Sequence, residues 1–182
     1  MSTNPAIEKL KYPIGRFSKP GFIGPSEIER YINQIESLPV QMKKAVDGIT
    51  EDELDTPYRP NGWTVRQVIH HVPDSHMNSY IRFKWTLTED NPSIKAYYED
   101  RWAELPDSKI SIDVSLNLLA SLHERWVILL KSMNEQDFHR TFQHPEMKHP
   151  MRLDTSLALY AWHGEHHLAH INLVKHSASV KP

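Results

Sequence analysis

The sequence predicts an all-α fold, a four-helix bundle. Four stretches repeat apolar residues at helical spacing, strand-like alternation is scarce, and prolines and glycines collect between the periodic stretches. The length, 182 residues, suits one domain over 1–182 with a sizeable core. No internal repeat or low-complexity tract interrupts it.

Residues 1–24 hold Pro5, Pro13 and Pro20 with Gly15, Gly21 and Gly24, spaced too closely for a regular element, and are expected to form an irregular N-terminal arm. Pro25-Ser26-Glu27 reads as a helix start, and the first helix covers about 26–48, with Ile28, Tyr31, Ile32, Ile35, Leu38, Met42, Ala45 and Ile49 recurring at helical spacing. Pro39 lies inside it and predicts a kink or break near Leu38. The segment from Thr56 to Gly62 is turn-rich, and Thr64 can cap a second helix running to Glu89. Residues 90–111 form a long connection with Pro92, Pro106 and the aromatics Tyr97, Tyr98 and Trp102. The third helix runs from Asp113 to Met133, with Val114, Leu118, Leu122, Trp126 and Leu129 on one stripe. A polar stretch, 134–152, leads into the fourth helix at 154–175. Connections this long exceed what a minimal up-and-down bundle needs, and such loops often cover a site.

Lys plus Arg number 21 and Asp plus Glu 23, so the net charge is −2 and the basic footprint of a nucleic-acid binder is absent. No signal-like or membrane-spanning apolar run is visible, so the default expectation is a cytoplasmic protein without a membrane or nucleic-acid partner. The absence of cysteine excludes a disulfide framework, a thiolate zinc site, a Cys nucleophile and a cysteine-held iron–sulfur cluster. Histidine is abundant instead, with 12 residues.

Five of these, His163, His166, His167, His170 and His176, lie in the fourth helix, within YAWHGEHHLAHINLVKH. Imidazoles at i and i+4 stand one turn apart on one face, which lets both reach one metal ion at about 2.0–2.1 Å. His163/His167 and His166/His170 both have that spacing. On a helical wheel Leu153, Tyr160, Gly164 and Ile171 define the core stripe; His163 and His167 lie beside it, and His166 and His170 lie further round. Gly164 costs roughly 1 kcal/mol of helix stability against Ala, which predicts close packing at that point. A bundle site draws ligands from facing helices, and the second helix carries His70, His71 and His76. There the wheel is less decisive: His70 is opposite the inner face, His71 is at its edge and His76 is nearer the centre, with Pro73 able to rotate the turn that follows. Isolated residues such as His123, His139, His144, His149 and His176 read as surface or hydrogen-bonded side chains. Trp63, Trp126, Tyr160 and Trp162 read as core. Asp74 and Glu165 are weak candidates for a general base, their ordinary role being solvent exposure.

The strings KYPIGRF, GWTVRQVIHHVPDSHMNSYIRFKWTLTEDNP, SLHERWVILL and LYAWHGEHHLAHI resemble the YfiT-type metal-dependent hydrolases, within the DinB-like superfamily that also includes bacillithiol transferases. The resemblance covers nearly the whole chain. It implies a four-helix bundle with a divalent metal on three histidines, one from the second helix and two from the fourth. The second-helix ligand stands eight residues after the Trp, which places it at His71 after Trp63, and the H-x-x-x-H of the fourth helix matches His163 and His167. Pro73 departs from the family pattern next to His71. The resemblance also implies a homodimer.

Three neutral imidazoles leave a divalent ion with at least one open position, the layout of a catalytic site. Such an ion acidifies water and polarises a carbonyl or phosphoryl oxygen, so the first expectation is metal-dependent hydrolysis of a small molecule. Zinc is the first expectation for the metal; nitrogen ligands also suit nickel, copper and iron. Two alternatives follow. One is an S-transferase in which the metal acidifies a low-molecular-weight thiol, which this cysteine-free chain would take from a cosubstrate. The other is a non-enzymatic metal-binding bundle with a closed site.

Overall fold

Three of the four long helices begin where side chains satisfy backbone donors at their first turn. In the computed structural model, which describes residues 5–178 and only the backbone of 176–178, α2 (Pro25–Ala45) opens with Pro25, and the Glu27 carboxylate accepts from the Gly24 N–H at 3.1 Å. The His176 side chain lies outside the described residues. The fourth helix of the chain, α4 (Val65–Thr88), is capped by Thr64: its hydroxyl accepts from the Gln67 N–H at 3.2 Å while the Gln67 side chain accepts from the Thr64 N–H at 3.0 Å. Two further long helices, α6 (Ile112–Ser132) and α8 (Leu153–Ala178), complete a four-helix bundle.

The packing explains the long connections. Helix α2 packs against α6 and α8, and α4 packs against the same two. Consecutive bundle helices α2 and α4 therefore stand across a diagonal, as do α6 and α8. Residues 46–64 and 133–152 must each cross an end of the bundle, which a short hairpin loop cannot do. The first crossing contains α3 (Glu51–Leu54), fastened to α4 by Arg66 through Asp55 and Glu51. The second contains α7 (Glu135–His139) and a small hairpin of β1 (Thr141–Phe142) and β2 (Met151–Arg152), paired antiparallel with Thr141 opposite Arg152. Residues 89–111, with α5 (Glu99–Trp102) and a 3₁₀ turn at Pro106–Lys109, join the second crossing through Ile94 N–H to Gln143 C=O at 3.0 Å and Gln143 N–H to Pro92 C=O at 2.9 Å.

Three details differ from the sequence expectation. The N-terminal arm is not wholly irregular, because α1 (Pro5–Lys11) forms within it. Helix α2 passes through Pro39 without a break, held by packing on both neighbours. The stripe expected on α6 is displaced: Val114 and Leu118 are exposed, and the inner face is Leu116, Leu119, Leu122, His123, Trp126, Val127 and Leu130. Apolar residues flank that face on both sides, so periodicity alone does not fix which side turns inward.

The core divides into two apolar clusters. One gathers Ile35, Phe83, Trp126, Phe142 and Leu157, the other Leu38, Met42, Val68, Leu119 and Ile171. Along each long helix a histidine or its partner falls between them: Ile35 precedes Leu38 on α2, His76 lies between Val72 and Phe83, His123 between Leu119 and Trp126, and His163 and His167 between Ala161 and Ile171.

Candidate metal centre

Close approach of α8 to α2 is set at Gly164, where an added Cβ would come within 2.5 Å of the Leu38 side chain. This is the close packing the glycine predicted, and it seats the turn that carries His163 and His167 against the bundle axis. From α4, His71 faces them. One ring nitrogen from each of His71, His163 and His167 lies within 4.8 Å of the others, and the Nε2 atoms of His71 and His163 are 3.2 Å apart. Two nitrogens bound tetrahedrally to one ion at 2.0–2.1 Å are separated by about 3.3–3.4 Å. The donor set and its spacing therefore fit a divalent metal. Burial, with neighbouring histidines contributing, lowers all three pKa values, that of His71 to about 4, so at neutral pH each ring is uncharged and has a lone pair to give. Trp63 packs on His71 at 4.6 Å between ring centroids.

Two hydrogen-bond chains decide which lone pairs those are. The His123 Nδ1 lies 2.6 Å from the Ile35 carbonyl oxygen and must donate to it. Its Nε2 then accepts from His76 Nδ1 at 2.9 Å, and His76 Nε2 accepts from His163 Nδ1 at 3.1 Å. The proton on His163 is fixed at Nδ1, leaving Nε2 bare toward His71. This chain joins all four long helices. Its terminal acceptor exists because of Pro39: a helical residue at 39 would donate its N–H to the carbonyl four residues back, Ile35, and proline has none to donate. Behind His167 a second chain runs outward. The His170 Nε2 donates to the Lys11 carbonyl at 3.2 Å, so its Nδ1 accepts from His167 Nδ1 at 3.4 Å and leaves His167 Nε2 bare.

The remaining sequence candidates have other surroundings. His76, which the helical wheel put nearest the centre, is fully buried as a link of the inner chain. His70 is held by Ser115 Oγ at 2.7 Å and the Ile110 carbonyl at 3.2 Å. His166 and His170, further round the wheel, are nevertheless buried, because Tyr12 stacks on His166 and Tyr58 on His170. Neither Asp74 nor Glu165 lines the cavity at the histidine trio. Asp74 is half-buried, and its carboxyl is pushed up to about 6 by burial and then by Asp107; burial raises Glu165 as well.

The cavity has a volume of about 550 Å³ and is lined by His71, His163 and His167 together with side chains from the arm and all three connections, among them Tyr12, Arg59, Tyr97 and His144. Sequence reading missed Ser75, Arg82 and Tyr97 as lining residues. Ser75 lies one turn beyond His71 on the same face, a spacing that could have flagged it; an arginine far along the helix reads as solvent-exposed.

Comparison with known proteins agrees with this architecture. The chain is 46% identical to YfiT from Bacillus subtilis, described as a probable metal-dependent hydrolase with an unusual four-helix bundle topology; the structures superpose with a TM-score of 0.91 over 95% of this chain and 99% of that one. Relatives from Bacillus mycoides and Bacillus cereus, each bearing the name "Putative metal-dependent hydrolase", are 53% and 55% identical over 93% of this chain and 97% of theirs. A mycothiol-dependent maleylpyruvate isomerase shares the fold alone, at 14% identity and a TM-score of 0.64 over 79% of this chain and 60% of that one. The family profile of the DinB superfamily matches residues 34–171, which take in parts of all four long helices, and the chain belongs to that superfamily.

Proposed function

We propose that the chain is a metal-dependent hydrolase of a small-molecule substrate, holding one divalent ion, zinc in this reading, on His71, His163 and His167. The observation that carries the proposal is the convergence of three uncharged imidazoles on one point at the wall of a cavity, with the Nε2 atoms of His163 and His167 left bare by the hydrogen bonds behind them. Bound there, a divalent ion supplies Lewis acidity, with at least one position open for water or for a carbonyl or phosphoryl oxygen, and lowers the pKa of water to about 7.

The chain's own residues do the rest. His76 and His123 hold the His163 ring in one orientation, and His170 does the same for His167. Trp63 closes one side of His71 and keeps bulk water from it. The acidic side chains on the cavity wall, Glu99, Asp100 and Glu146, come from the connections and not from α4 or α8. In the same reading the protein works in the cytoplasm as a homodimer, which light scattering on the purified chain tests.

The deciding experiment is metal analysis of the purified protein and of His71→Ala, His163→Ala and His167→Ala, followed by a hydrolysis screen of the metal-loaded protein with and without a low-molecular-weight thiol. One ion per chain, lost in each variant, and thiol-independent hydrolysis are expected. Full metal content in the variants, or turnover only with thiol, overturns the reading.

A further inference from the structure

Of the three cations that line the cavity, Lys11, Arg59 and Arg82, the last is the buried one, and among the described residues it has no carboxylate partner. Arg82 on α4 is 7% exposed, and its Nη2 donates to the Lys95 carbonyl at 3.3 Å. A guanidinium offers five N–H donors in a planar fork, and a buried charge left without a partner is costly. Arg82 lines the same cavity as the histidine trio. It shares a face of α4 with His71 and Ser75, about 16 Å along the axis from His71 at 1.5 Å per residue. Side chains on a helix lean toward its N-terminus, so the guanidinium reaches back toward the trio and the gap is shorter than the backbone rise.

We propose that Arg82 anchors a carboxylate of the substrate, bound in this cavity at the far end from the bond that is broken. The inference rests on the hydrolase reading for the position of that bond, but not for the anion site. A carboxylate matches the fork of a single guanidinium in a bidentate pair. A phosphate dianion gathers more than one cation; Lys11 and Arg59 also line this cavity, but Arg59 is held over the Tyr58 ring and donates to the Pro60 carbonyl, and Glu99, Asp100 and Glu146 on the same wall oppose a second negative charge. Tyr97 and His144 flank the site from the two connections that are hydrogen-bonded to each other.

The test has two arms. In the first, suberate and inorganic phosphate are titrated calorimetrically into the metal-free protein, so that no ion competes for the anion. Suberate binding is expected, weakened in Arg82→Lys and abolished in Arg82→Gln, with phosphate weaker than suberate. Thermal melting checks the fold, and Arg82→Gln is expected to be at least as stable as the parent because it removes a buried unpaired charge. In the second arm, 4-nitrophenyl hemiesters of linear dicarboxylic acids are compared with neutral esters of equal length on the metal-loaded protein. The charged ester is favoured at least tenfold in kcat/KM at one intermediate length, and the ratio collapses toward one in Arg82→Gln. Suberate binding that is absent, or equal in Arg82→Gln, overturns the anion site, as does tighter binding of phosphate for the choice of carboxylate. If neither ester is hydrolysed while suberate binding depends on Arg82, the hydrolase reading fails and the anion site stands.

Discussion

His163 and His167 stand one turn apart on α8, yet the supports behind them differ. His163 leans on His76, His123 and the Ile35 carbonyl, all inside the four long helices. His167 leans on His170 and the Lys11 carbonyl at the end of α1, a seven-residue helix in the N-terminal arm. The inner support is made by elements that must fold for the bundle to exist. The outer one depends on a short segment that contributes no buried residue of its own. The two proposed ligands are therefore oriented with different security, although their spacing makes them look equivalent.

The largest effect expected erases the difference. His163→Ala and His167→Ala should each cut metal affinity beyond the roughly 10–100-fold of an outer partner, with helical circular dichroism retained. Next comes the inner chain alone. His123→Leu should weaken metal binding about 10–100-fold and destabilise the fold by about 1–3 kcal/mol, because it strands the Ile35 carbonyl and the His76 donor. His123→Gln, whose side-chain oxygen can accept from His76, should recover much of the binding. Nitrogen-15 NMR of the histidines should find His163 protonated at Nδ1 in the parent and changed in the leucine variant. Equal metal affinity in all three proteins would dissolve the distinction between the supports.

Acid separates the supports less sharply. Burial lowers the pKa values of His123 and His170 to about 4, well below the unfolded value near 6.5. The unfolded chain takes up protons first, so metal-free protein loses stability as pH falls from about 6.5 toward about 4, and is insensitive to these groups above that window. Urea denaturation across pH should show that fall, with a shallower slope in His123→Leu. The smallest effect belongs to the arm: deleting residues 1–11 should lower metal affinity less than tenfold and leave the melting temperature of the bundle nearly unchanged. A loss as large as that of His123→Leu would make α1 an equal partner.

Much of this was legible in the chain. Caps and the 3.6-residue period located the four long helices, and the i, i+4 pair with Gly164 identified the inward face of α8. The wheel on α4 placed His76 nearest the centre and the family resemblance implied His71; one ring nitrogen of His71 lies within 4.8 Å of those of His163 and His167, and His76 is hydrogen-bonded to the far side of His163. A wheel ranks angles about one helix and carries no information on what a second helix brings to each angle. The same limit hid the cover on His166 and His170, which arrives from Tyr12 and Tyr58 in separate segments. Arg82 escaped because its burial comes from connections whose path the local sequence does not encode.

Pro39 has a consequence for redesign. A proline deep in a helix invites replacement by alanine, for a nominal gain of about 3 kcal/mol. Here the new N–H would compete with His123 for the Ile35 carbonyl, so positions 39 and 123 behave as a coupled pair. A double-mutant cycle over Pro39→Ala and His123→Leu should give a non-zero interaction energy, with the alanine helping most where the histidine is already gone. Stabilising α2 by its own rules would thus loosen the His163 ring on α8, two hydrogen bonds beyond His123.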